Sequence, residues 1–277
     1  MIVFFCFVFI FGLVLGSFVN ALEYRIEQKM SIGGRSMCPL CKHQLAWYDL
    51  VPVFSWVWLR GKCRYCGKKI SAQYPIVEIL SGLSLLALVN TYILHIFSGF
   101  SFLALVASPI NFLAFLGLFL LICVLSTILV LVALHDYKTG FVLSYYTYFA
   151  MAAVAIMLAF NTQGFVGWPV LLLHIYSALG AAAPFATLWA VSRGKWMGAG
   201  DIEIAFLAGL ILGWPATAVG MYFAFIVGSI VGLALVGAKK SNLKSAISFG
   251  PFLIAGIYFA LLSTQQIVDA YVRIFLG

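Results

Sequence analysis

Long blocks of uninterrupted apolar residues dominate this chain, and no water-soluble fold accommodates them. A hydrocarbon layer about 30 Å thick takes roughly 20 helical residues to cross. Eight candidate blocks lie near residues 1–22, 76–97, 110–134, 141–160, 168–192, 202–213, 216–237 and 250–276. They are continuous rather than alternating, so they predict helices and not a barrel. Composition agrees: 64% of the 277 residues are hydrophobic and 9% charged, against about 25% charged in soluble proteins. A soluble globular domain, a disordered chain, a collagen-like repeat and a small disulfide scaffold are all excluded. The expected fold class is an all-α polytopic membrane protein. The sixth block is too short for an upright span, so it borrows residues between Trp196 and Asp201 or enters as a tilted or broken helix. The first block has no basic region before its apolar run and no small-residue cleavage site after it, which reads as a retained anchor.

Basic residues set the expected orientation, because short cytoplasmic loops collect them. Nine of the sixteen fall between Arg25 and Lys69. That places this segment in the cytoplasm and the N-terminus outside. Threading eight spans then brings Lys138, Arg193, Lys195, Lys239, Lys240 and Lys244 to the same face, and leaves only Arg273 opposite. The turns around residues 98–109 and 161–167 carry no charge. Topology therefore accounts for most of the net charge of +8, and nucleic-acid binding is not implied. The expected organisation is a first transmembrane helix (1–22), a cytoplasmic segment (23–75) and a membrane-embedded domain (76–277). No internal repeat stands out.

A segment of about fifty residues buries little core and usually needs a staple. Cys38-Pro-Leu-Cys41 and Cys63-Arg-Tyr-Cys66 supply one, as two CxxC pairs with twenty-one residues between them. Each pair presents two thiolates to one ion, and together they complete the tetrahedral sulfur site of structural zinc, with no open position for a catalytic water. A reducing cytoplasm disfavours the alternative of two disulfides. His43 is an alternative ligand. Cys6 and Cys123 lie in apolar spans and read as small packing residues. Trp47 to Pro52 and Trp56-Val57-Trp58 are too apolar for a free loop and suit the bilayer interface.

Catalytic candidates come from the eight acids. Asp136 closes the third span and Asp201 opens the sixth, so the threading brings both to the cytoplasmic face. Ionisable groups at spans are costly enough to mark function. Two carboxyls that meet share one proton, so one can take a proton from water while its partner polarises a peptide carbonyl. Met197-Gly198-Ala199-Gly200-Asp201 leads straight into an apolar helix; Gly198 and Gly200 would free the backbone and admit a substrate strand. Helix capping explains the glycines and acid equally well, and an ion pair with Lys138 or a contact with His135 is the alternative for Asp136. His95 and His174 read as core residues. Gly12-xxx-Gly16 and Gly228-xxx-Gly232 fit close helix packing.

Several motifs together resemble one family, the bacterial type IV prepilin peptidases: Gly16-Ser17-Phe18-Val19-Asn20 running to Tyr24-Arg25, the cysteine pairs around Asp49-Leu50-Val51-Pro52-Val53 and Leu59-Arg60-Gly61-Lys62-Cys63, Tyr74-Pro75-Ile76-Val77-Glu78, Met197 to Asp201, and Phe249-Gly250-Pro251-Phe252. The resemblance spans nearly the whole chain. It implies an eight-span GxGD aspartic protease of the bacterial inner membrane with catalytic Asp136 and Asp201. The protease would cut basic leaders from prepilins or pseudopilins, and in many members would also methylate the new N-terminus with S-adenosylmethionine. The zinc-bearing segment is associated with that second activity. Two departures stand out: Leu143-Ser144-Tyr145 replaces a common Leu-Pro-Asp group, and Glu203 replaces a common lysine. Glu203 either alters the dyad's proton affinity or faces water.

Two other classes compete. A proton-coupled transporter would place its carboxyls near the midplane and in related halves. A non-enzymatic zinc-ribbon adaptor would leave seven spans without a purpose.

Overall fold

An apolar block in lipid has to satisfy its backbone internally, and helices do so residue by residue. The computed structural model describes residues 2–94, 109–159, 168–238 and 248–275. His95, Lys239, Lys240, Lys244, and residues 98–108 and 161–167 of the two uncharged turns, lie outside the described residues. All eight apolar blocks have helical counterparts. The helices are α1 (Ile2–Glu27), α2 (Phe54–Trp58), α3 (Gln73–Val89), α4 (Pro109–Thr139), α5 (Ser144–Ala159), α6 (Trp168–Ser192), α7 (Ala199–Leu212), α8 (Ala216–Gly237) and α9 (Gly250–Phe275). Six of them (α1, α3, α4, α6, α8 and α9) are long and apolar enough to cross a membrane, by length and composition. The chain divides into two compact units, Met1–Val89 and Asn90–Gly277.

In the first unit, α1 and α3 pack closely because both carry small residues at the crossing. A Cβ added at Gly12 would sit 2.7 Å from Gly82 Cα, and one at Gly16 would sit 2.6 Å from Glu78 Cα. The expected glycine pair is thus a close-packing seam. It also explains why the second apolar helix belongs to the same compact unit as the cysteine segment. Cys6, expected to pack inside, is exposed on α1, whereas Cys123 is buried on α4. The side chain at position 6 lies on the outer face of α1, away from α3.

The second unit is arranged around α7, which packs against α5, α6, α8 and α9. Its 14 residues span about 21 Å at 1.5 Å per residue, less than a hydrocarbon layer. Protein covers it instead: Ile204, Ala205, Leu207, Ala208, Leu210 and Ile211 are all buried. The short sixth block does borrow residues upstream, beginning at Ala199. It stops at Gly213, whose φ of 65° suits glycine, and the Gly213 N–H closes on the Gly209 carbonyl. Nδ1 of His174 lies 2.8 Å from the Leu210 carbonyl oxygen, so this histidine is a core residue that satisfies a helix end. Gly209 lets α7 press onto α6, since a Cβ there would be 2.6 Å from the Ser177 carbonyl oxygen.

Candidate active site and metal centre

Asp136 lies three residues before the end of α4 and is 4% exposed. Its Oδ2 accepts hydrogen bonds from the Gly250 N–H at 3.0 Å and from the Ser248 hydroxyl. The start of α9 therefore holds this carboxylate with two donors. Neither was assigned from sequence, although Gly250 sits in the Phe249-Gly250-Pro251-Phe252 motif. The same glycine meets α7: a Cβ added at Gly250 would be 3.1 Å from Asp136 Cγ and 2.9 Å from Ile204 Cδ1. Ile204 follows Asp201 by three residues, so both share one face of α7. Three helices converge at a point where only hydrogen fits.

Asp201 occupies the third position of α7, and its carboxyl accepts a hydrogen bond from the Gly198 N–H. That bond is half of a capping box, so capping and a functional role coexist at this acid. The Asp201 carboxyl also lies within Coulomb range of Asp136. Tertiary packing thus brings together two acids 65 positions apart in sequence. Neither Gly198 nor Gly200 draws on the dihedral freedom of glycine. Gly198 is extended (φ −75°, ψ 150°), a conformation open to any residue, and Gly200 is already helical. What excludes a side chain at Gly200 is Val142, whose Cβ would lie 2.5 Å from an added Cβ.

Glu203, half-buried, is held by three hydroxyls. Its Oε1 accepts from Ser144 Oγ at 3.0 Å and Tyr148 OH at 3.1 Å, and its Oε2 accepts from Thr147 Oγ1 at 2.8 Å. The two sequence departures are one structural feature: hydroxyls of α5 surround the carboxyl that α7 offers at position 203. Helical spacing could have hinted at it, because Ser144, Thr147 and Tyr148 stand at i, i+3 and i+4 and share a face.

The four cysteines cluster in the first unit, with Sγ atoms within 4.8 Å of one another. Two tight turns bring them together, built alike. Cys38 N–H donates to the His43 carbonyl and Cys63 N–H to the Lys68 carbonyl, while Lys42 and Gly67 N–H close back on the carbonyls of Cys38 and Cys63. Lys42 and Gly67 both take positive φ, 59° and 67°. The unnoticed internal repeat is therefore this turn, recurring with little side-chain likeness beyond the cysteines. Tetrahedral zinc, with Zn–S about 2.3 Å, spaces its sulfurs about 3.8 Å apart, so small side-chain adjustments fit the ion. Burial pushes the Cys38 thiol up, but the amides of Cys41 and Leu40 and the thiols of Cys41 and Cys63 outweigh it and bring it down to about 7. His43 is not in the cluster; its ring packs at a tilt against Tyr65 with centroids 3.7 Å apart.

The linker between the turns is pinned to them. Asp49 takes a salt bridge from Arg64 Nε at 2.8 Å, a hydrogen bond from Tyr65 OH at 3.0 Å and another from the Ala46 N–H. Trp56 packs over Gly61 and donates to the Ile70 carbonyl. Trp47, Phe54 and Trp58 remain exposed, an arrangement suited to a bilayer interface.

Fold and sites together define a polytopic helical membrane protein with a four-cysteine staple in one unit and a convergent pair of acids in the other. The Bacterial Peptidase A24 N-terminal domain matches residues 10–92, and the Type IV leader peptidase family matches residues 123–236. The chain is 30% identical over 275 residues to the prepilin leader peptidase/N-methyltransferase of Bacillus subtilis (strain 168), covering 97% of this chain and 98% of that protein. Proteins of the same name from Aeromonas hydrophila and Pectobacterium carotovorum subsp. carotovorum are 27% and 28% identical. They cover 99% and 91% of this chain, and 95% and 91% of their own lengths. No solved structure matches. The chain belongs to the type IV leader peptidase family.

Proposed function

We propose that this protein is a membrane aspartic endopeptidase that removes the basic leader from prepilins or pseudopilins, with Asp136 and Asp201 as its catalytic pair. One observation carries the reading: in a member of this family, α4, α7 and α9 meet at Gly250, where Asp136 is held, and the Asp201 carboxyl of α7 lies within Coulomb range of Asp136. A dyad also needs one oxygen fixed, and Asp136 Oδ2 has two donors for that. The substrate's apolar helix lies among the spans and its basic leader stays in the cytoplasm, with the scissile peptide extended so that its carbonyl is exposed. Asp136 takes a proton from water as the resulting hydroxide attacks the carbonyl carbon, and protonated Asp201 gives its proton to the carbonyl oxygen. Collapse of the tetrahedral intermediate breaks the C–N bond, with a proton passing to the leaving amine. Gly198 and Gly200 keep side chains out of the space beside Asp201.

The protein lies in the bacterial cytoplasmic membrane with its N-terminus outside and the cysteine segment in the cytoplasm, as the basic-residue distribution supports. Cys38, Cys41, Cys63 and Cys66 hold one structural zinc. The proposed organisation remains residues 1–22 as the first span, 23–75 as the zinc segment and 76–277 as the protease domain. The second activity is N-methylation of the new N-terminus, with S-adenosylmethionine as methyl donor. Lipid is the solvent of the spans, and nucleic acid has no part. Incubating the purified protein in lipid nanodiscs with a prepilin tests the reading. Wild-type protein should release the leader, while Asp136→Asn and Asp201→Asn, each inserted and folded, should not. Full cleavage by either variant would remove the pair from the mechanism.

A further inference from the structure

Asp136 and Asp201 approach from different helices, so their separation depends on what fixes α4 against α7. From one side, Gly250 and Ser248 at the start of α9 hold the Asp136 carboxylate. From the other side, the link runs through the turn that joins α4 to α5. Gly140, four residues after Asp136, takes φ 71°, and its N–H closes on the Asp136 carbonyl at 2.8 Å. Thr139 Oγ1 donates to the His135 carbonyl at 2.8 Å and accepts from the Phe141 N–H at 3.2 Å. The turn is thus tied to the last helical turn of α4, and it carries the position of Asp136 forward with little slack.

This turn and the start of α5 then meet α7 at two points that bracket Asp201. Val142 fills the space that Gly200 leaves open by having no side chain. Beyond it, Ser144, Thr147 and Tyr148 bring three hydroxyls onto the Glu203 carboxylate at 2.8–3.1 Å. Because α5 begins at Ser144, the carboxylate also lies at the positive end of that helix dipole. The two contacts differ in kind. Val142 against Gly200 only limits approach, whereas hydrogen bonds to a charged acceptor are strong and directional and also resist separation. Asp201 and Glu203 are two residues apart, roughly 200° around a helix, so Glu203 grips α5 while Asp201 shares the face of Ile204.

We propose that Glu203 is a positioning residue for the acidic pair: held by the hydroxyls of α5, it clamps the α4–α5 turn onto α7 and so sets the distance between the Asp136 and Asp201 carboxyls. The assignment rests on the aspartic-peptidase reading above.

Initial rates of leader release by the full-length protein in nanodiscs, taken over a range of prepilin concentrations, test it. Glu203→Ala should lower kcat by about tenfold to a hundredfold, as expected for reacting groups misplaced by up to about 1 Å. KM should change by less than about twofold, because groups that bind substrate are untouched. Glu203→Gln keeps an acceptor oxygen for Ser144 and Tyr148 and should recover most of kcat. Ser144→Ala with Thr147→Val dismantles the cage from α5 and should lower kcat in the same way, which keeps the test open if Glu203→Ala fails to fold. Adding that pair to Glu203→Ala should cost little more, since the partners act as one unit. His174→Ala is the control: it loses the contact with the Leu210 carbonyl at the far end of α7, and should lower the melting temperature while leaving kcat near the wild-type value. Equal kcat losses in His174→Ala and Glu203→Ala would reduce the cage to general stability and overturn the proposal. Wild-type kcat in Glu203→Ala, a rise in KM alone, or losses that add in full would overturn it as well. All of these leave the peptidase reading standing; cleavage by Asp136→Asn or Asp201→Asn would remove that reading and the clamp with it.

Discussion

Gly250→Ala tests whether the convergence of α4, α7 and α9 is what makes the acidic pair work. Ordinary contact to a Cβ begins near 3.4 Å, so the Ile204 methyl at 2.9 Å has to yield about 0.5 Å, and Asp136 Oδ2, which is closer than the Cγ at 3.1 Å, about 1 Å. Overpacking of this kind costs about 1–3 kcal/mol of stability. The effect on catalysis should exceed what stability alone predicts. Moving Oδ2 by that distance breaks its bond from the Gly250 N–H, and a misplacement of about 1 Å lowers turnover by roughly a hundredfold, or about 2.7 kcal/mol in the barrier. Initial rates of leader release from a prepilin in nanodiscs, read beside the melting temperature, measure both. Combining Gly250→Ala with Ile204→Val separates the two effects, because valine removes the Cδ1 clash but not the carboxylate clash. The double variant should recover part of the melting temperature and little of the rate. A Gly250→Ala protein that cleaves at the wild-type rate would refute the reasoning.

The other predictions concern Glu203, the metal and Asp49. Glu203→Gln should cost under about 1 kcal/mol, because its Oε1 still accepts from Ser144 and Tyr148 while its new amide donates to Thr147 Oγ1; Glu203→Ala should cost about 1–3 kcal/mol, and equal melting temperatures for the two would deny the hydroxyl cage any role. Cys38→Ser with Cys41→Ser should abolish the roughly one zinc per chain expected of a four-thiolate site, and should impair methylation more than cleavage; elemental analysis finding no zinc in the wild type would contradict the centre. Burial pushes the Asp49 carboxyl up, but Arg64, Tyr65 and the Ala46 amide outweigh it and hold it below 3.8. Its contribution is then present above pH 3.8 and lost as pH falls through the lower folded value. Thermal scans between pH 6 and 3 should show a loss for the wild type that is smaller in Arg64→Gln; identical profiles would remove Asp49 from the account.

Much of the fold is legible in the chain because apolar length and lipid thickness are matched quantities. Every long block has its helix, and even the short sixth block extends where expected, toward Asp201. The cysteine cluster is legible for a similar reason: two CxxC turns are local, and their geometry follows from a handful of adjacent amides. Other features are set by contacts between elements rather than by local chemistry. The dihedral freedom attributed to Gly198 and Gly200 is not used, since the relevant constraint is Val142 pressing on Gly200 from beyond the end of α4. Cys6 was placed inside because its span is apolar all round, and such a span carries little information about which face meets protein.

The amino-acid sequence by itself determines that this chain is a set of membrane helices with a four-thiol knuckle, because hydrophobic length and short-range turn chemistry act within a few neighbouring residues. Only the tertiary structure decides that Asp136 is held at Gly250 within Coulomb range of Asp201, that Glu203 accepts from the hydroxyls of α5, and that Asn20 is left with an unsatisfied oxygen in a cleft. Those pairings depend on how helices rotate and approach, and that is set by small residues and packing across elements distant in the chain.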